Sequence, residues 1–131
     1  MYGRKIQPKT ALLFSAGQAY RRQWVADQST EHLRRSVELD DSQPYDEPWG
    51  WMQPPRHALA ALLMEQQRFD EAERLYRADL GLTDELYRPC QHPGNVWALH
   101  GLAECLDRRG EKVESVHVGR QLDRVIARAD V

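Results

Sequence analysis

The chain has 131 residues and a mass of 15.2 kDa, enough for one ordinary domain (residues 1–131) and too little for two well-buried ones. Hydrophobic residues make up 41% and charged residues 29%, with a mean hydropathy of −0.73; this excludes a disordered polyelectrolyte and suits a thin core under a wet surface. The formal charge is −2 and the 15 Arg are scattered, so neither composition nor pattern implies nucleic acid.

The longest apolar run, Ala58 to Met64, is far below the ~20 residues of a membrane helix. The basic start of the chain is followed only by the short apolar stretch Ala11 to Phe14, which does not read as a secretory signal. Cys90 and Cys105 are too few for a disulfide scaffold. Free thiols and a cytoplasmic location are expected.

Apolar spacing is helical almost throughout, with six elements in chain order. Leu13, Ala16, Tyr20 and Trp24 form the first stripe, and Leu33 and Val37 the second, after Asp27 as a candidate cap. Pro54-Pro55 enters a third helix carrying Leu59, Leu62, Leu63 and Gln66. A fourth carries Phe69, Ala72, Leu75, Tyr76 and Leu80, with Asp70 as candidate cap. The fifth starts at Asn95, carries Val96, Leu99, Leu102, Ala103 and Leu106, and ends near Gly110. Val118, Leu122, Val125 and Ala129 mark the last. Few stretches alternate with the period of a strand, so no strand is expected.

The six helices pair, and the pairs repeat. Small residues Gly17, Ala60 and Gly101 fall inside the first helix of each pair, stepping by 43 and then 41. Ser29, Ala72 and Ser115 fall in the second helices, stepping by 43 each time. Small side chains there let helix axes approach, and a fixed period of two helices marks an all-α helical-hairpin solenoid.

Three units are expected, over roughly 10–43, 54–86 and 95–129. Gly17, Tyr20, Ser29, Leu33, Ser36 and Pro44 resemble one tetratricopeptide repeat (TPR). Ala60, Leu63, Phe69, Ala72 and Tyr76 resemble a second, with Asp79 where a small residue is usual. Trp97, Gly101 and Ser115 resemble a degenerate third, with Gly119 in place of an aromatic. Against the ordinary ~34-residue repeat, roughly nine residues per unit are inserted, in loops 44–53 and 87–94. The strings DEPWGWMQP, CQHP and LHGLAECL resemble the C-terminal part of larger, uncharacterised microbial TPR proteins.

The resemblance implies a non-enzymatic scaffold that binds a protein or peptide in a groove made by first helices. Carried over by position, Phe14, Gln18, Arg21, His57, Ala61, Met64 and Glu65 would face that groove. Phe14 with Gln18, and His57 with Ala61, stand where carboxylate-clamping TPRs have Lys and Asn, so such a clamp is not expected. For Phe14 and Met64, packing between repeats is the competing reading.

Tyr45, Trp49, Trp51 and Met52 cluster in the first insert, either sealing a repeat junction or walling a peptide or ligand pocket. Cys90, His92, His100 and Glu104 form a polar set around the second. His100 and Glu104 share a helical face that the alignment turns inward, where each needs a partner. A hydrogen-bonded cluster satisfies that need, as does a zinc or iron ion. A Cys90–His nucleophile pair is disfavoured by its two-residue spacing in a Pro-bounded loop. Phosphate loops, nucleophile elbows and His-Glu-x-x-His motifs are missing from the sequence. With Leu12, Leu13 and Phe14 at an uncapped first repeat, self-association through that end, or origin in a longer array, is a further expectation.

Overall fold

The computed structural model describes residues 26–42 and 54–129. The expected first helix, the Trp-rich insert and the side chain of Asp27 lie outside them. Among the described residues there are five α-helices and no strand: α1 (Ala26–Asp41), α2 (Pro55–Glu65), α3 (Phe69–Asp79), α4 (Val96–Arg108) and α5 (Lys112–Arg128). A single 3-10 turn, Arg88–Cys90, lies between α3 and α4. The chain divides into two compact units, residues 1–62 and 63–131.

In the first unit, α1 buries Ser29, Leu33, Ser36 and Val37, the i, i+4, i+7, i+8 stripe of an amphipathic helix. The part of α2 in this unit buries Ala58, Leu59, Ala60 and Leu62. Arg56, in the first turn of α2, reaches Asp41 at the end of α1 with Nη2 to Oδ2 at 2.7 Å. That pair closes the two ends of the 42–54 connection.

The second unit packs α3 against α4 and α4 against α5. Its core holds Ala72, Tyr76, Leu99, Leu102, Cys105, Leu106 and Val118. The Cys105 thiol donates to the Phe69 carbonyl at 3.2 Å, and Ser115 Oγ donates to the Ala103 carbonyl at 3.1 Å. Ala60, Ala72 and Gly101, expected as small residues at close approaches, are all buried.

Three helix ends share one hydrogen-bond pattern. Arg68 N–H donates to Leu63 O, Leu82 N–H to Arg77 O, and Glu111 N–H to Leu106 O, each at 2.9 Å. The residue before each donor is left-handed: Gln67 (φ 60), Gly81 (φ 73) and Gly110 (φ 81). This is the Schellman stop, favoured by glycine because it has no Cβ to clash. Two of the three positions carry it.

Helix starts divide differently from expectation. Asn95 caps α4 as expected, its side chain accepting from Ala98 N–H at 3.0 Å. Asp70 does not cap α3, because that helix begins one residue earlier at Phe69 with Arg68 in the cap position. Asp70 instead sits in the first turn, where its charge favours the N-terminal end of the helix dipole.

Candidate functional site

The departures from the repeat pattern turn out to be coupled. Asp79, the last residue of α3, is 1% exposed, and a bare carboxylate there is costly. His92, in the second insert, lies with Nδ1 2.7 Å from Asp79 Oδ1. An ionised carboxylate only accepts, so the ring nitrogen donates. The His92 backbone N–H also donates to the Asp79 carbonyl. Nearby, Gln91 Nε2 donates to the Leu86 carbonyl at 3.0 Å, and the Gln91 side chain fills the space beside Gly81. The insert is thus pinned to the end of α3.

Elsewhere in the unit, a chain of charges links α3 to the hairpin of α4 and α5. Arg77 contacts Glu73 at 2.7 Å and Glu114 at 2.6 Å. Arg109 contacts Glu73 as well, and Asp70 at 2.9 Å. Glu73 is mostly buried and shared by both guanidinium groups, so the network is firmer than isolated surface pairs.

The remaining polar set is dispersed. Cys90 is a half-buried cysteine of the 3-10 turn and is in no disulfide. His100 and Glu104 are exposed on α4, which corrects the expectation that their face packs inward. Gly101 and Cys105 face α3 and Ala103 faces α5, leaving the outer side of α4 to Trp97, His100, Glu104 and Arg108. Glu104 pairs with Arg108 at 2.9 Å, and Trp97 is 71% exposed. Among the described residues, no three His, Cys, Asp or Glu side chains are grouped so as to hold a metal ion.

Of the expected groove residues, Phe14, Gln18, Arg21, Trp49 and Trp51 lie outside the described residues. His57 and Met64 are each only 7% exposed, which corrects the open position expected of His57 and agrees with the packing reading for Met64. Glu65, at the end of α2, is exposed.

Two buried groups have displaced titrations. Burial, with the nearby Cys105 and Glu104 charges, pushes the Tyr76 hydroxyl up to about 12. Burial, with Asp70 and Glu104 outweighing Arg77, pushes the Cys105 thiol up to about 11. A thiol so raised is protonated at neutral pH and a poor nucleophile.

No helix among the described residues is long and apolar enough to cross a membrane. No protein-family model matches the chain, and no curated protein matches its sequence. Solved structures do. The fold is similar to the nearly identical TPR-like repeats of a Podosopora anserina protein assigned as a kinesin light chain. The match has a TM-score of 0.72 at 19% identity, over 97% of this chain and 60% of that one. A single-substitution variant of that protein matches with a TM-score of 0.71 at 20% identity, over 95% and 58%. The chain therefore spans about 60% of the length of these structures. The fold is that of TPR-like helical repeats.

Proposed function

We propose that this chain is a non-enzymatic interaction scaffold that binds a protein or peptide partner. The surface would be made by the first helices of its hairpins together with the Trp-rich segment 44–53. The TPR-like fold supports this reading, because helices fixed by a shared core hold contact residues in place before the partner arrives. Glu65 then offers an exposed charge at the end of α2. Phe14, Gln18 and Arg21 supply the first-helix contacts, and Trp49 and Trp51 a large rigid apolar area.

Peptides selected from a random library against the full chain test the reading. Their affinities are compared for the chain itself, an Arg21→Glu/Glu65→Arg variant and a Trp49→Ala/Trp51→Ala variant. Binding weakened roughly tenfold or more in either variant, with unchanged melting, supports it. Selection that yields no binder, or binders indifferent to both variants, overturns it.

A further inference from the structure

The face of α5 turned away from α4 carries a strip of positive charge that no described residue pairs. Val118 is buried, Ser115 bonds to α4, and Leu122 and Val125 are half-buried, which fixes the inner side of this helix. Arg120, Arg124 and Arg128 follow at four-residue steps on the opposite side, all exposed. Helix geometry sets them about 6 Å apart along one line. Among the described residues several other arginines are held in ion pairs, such as Arg68 with Glu71, Arg108 with Glu104, and both Arg77 and Arg109 with Glu73. Among the described residues no carboxylate pairs with Arg120, Arg124 or Arg128. Among the described residues Asp123, beside the strip, is the nearest acid in sequence and is in no ion pair. Toward the start of the helix, Val113 and Val116 are 89% and 55% exposed.

We infer that this face docks an acidic helical segment of another protein. Like charges one turn apart repel and weaken their own helix, and an anion of matching period removes that repulsion. Glutamates at four-residue steps on a second helix have the same ~6 Å spacing, so three carboxylates meet three guanidinium groups in register. The exposed valines at the other end suit an aliphatic side chain of the same segment. A nucleic-acid backbone fits less well: three cations on one short strip of a chain with net charge −2 offer few phosphate contacts, and that binding mode depends on many. The surface belongs to the second helix of its hairpin and is independent of the first-helix groove.

The probe is a fluorescein-labelled helical peptide with Glu at positions i, i+4 and i+8 and two leucines beyond them. Its control carries Gln at the three positions. Binding is measured with the full chain and with an Arg120→Gln/Arg124→Gln/Arg128→Gln variant, whose retained melting curve establishes folding. An Arg34→Gln/Arg35→Gln variant serves as a control for positive charge removed elsewhere, on α1. The expected result is binding weakened roughly tenfold by the α5 triple substitution and again by high salt, and unaffected by the α1 pair. Absence of binding, equal binding of the Gln peptide, or indifference to the triple substitution overturns the proposal. So does tighter, Arg-dependent binding of a single-stranded oligonucleotide than of the Glu peptide.

Discussion

The ring of Tyr76 on α3 lies directly over Gly101 of α4, so close that a Cβ built on the glycine would stand well inside contact distance of two ring carbons and the hydroxyl oxygen. Tyr76 is buried and cannot swing into solvent. Gly101→Ala therefore forces a shift of packed groups, at about 1–3 kcal/mol, against up to about 1 kcal/mol recovered from helix propensity. The expected net effect is destabilisation by about 1–2 kcal/mol in denaturant unfolding. Gly119 of α5 has nothing among the described residues within 4 Å of its would-be Cβ, so Gly119→Ala is expected to stabilise by about 0.5–1 kcal/mol. In a Tyr76→Leu background the cost of Gly101→Ala should vanish. A cost unchanged by that background would show that the ring is not its source.

Gly101 also shows what the sequence makes legible. Its spacing from Ala60 and Gly17 marks the hairpin repeat, because a close helix approach tolerates only small side chains and the chain must meet that condition once per unit. The Asn95 cap and the Gly110 stop are similarly local in cause. Positions governed by what lies across the fold were not legible. His100 and Glu104 occupy inward positions by repeat count, yet nothing among the described residues covers that side of α4 and they stay exposed. Asp79 read as a departure from the repeat and His92 as one of a Cys/His/Glu set, and only their distance joins the two. The Arg strip of α5 was hidden by a different cause. Net charge averages over the chain, whereas the four-residue step of Arg120, Arg124 and Arg128 without an acid at the same step is the signal to seek.

Because Asp79 is sealed from water, His92 is a structural latch with a measurable contribution. His92→Ala leaves the carboxylate without that donor and is expected to cost about 1–3 kcal/mol. The effect should be local as well, with faster amide hydrogen exchange at Cys90 and His92 than in α4. Asp79→Ala combined with His92→Ala is expected to cost less than the two single changes together, by about 0.5–3 kcal/mol. Strict additivity would deny the coupling.

Gln67 occupies the left-handed stop position that Gly81 and Gly110 fill at the ends of α3 and α4. A side chain in this conformation is strained by its Cβ. Gln67→Gly is expected to raise stability by roughly 0.5–1 kcal/mol, whereas Gly110→Ala, at φ 81, lowers it by a similar amount. Thermal melts of both variants check the pair of signs, and destabilisation by Gln67→Gly would contradict this account.

Cys90 and His92 sit in one loop while His100 and Glu104 lie exposed on α4, and no group of three ligands forms among the described residues. Protein purified without an affinity tag is therefore expected to hold zinc or iron well below one equivalent by elemental analysis. A Cys90→Ala/His92→Ala variant should leave that content unchanged. One full equivalent, lost in the double variant, would establish a metal centre.

Tyr76 and Cys105 give the fold an alkaline limit. Their folded values, about 12 and about 11, stand above the ordinary 10.0 and 9.0. The unfolded chain thus releases these protons first, and the folded state binds more of them in the intervening range. The stabilisation is fully present below pH 9 and is lost as pH climbs through 9 to 11 for Cys105 and 10 to 12 for Tyr76. Their contribution to the denaturant midpoint should be level from neutrality to pH 9 and fall beyond it. Tyr76→Phe should remove the decline between 10 and 12, and Cys105→Ser the part between 9 and 11. An unaltered alkaline slope in both variants would place its origin elsewhere.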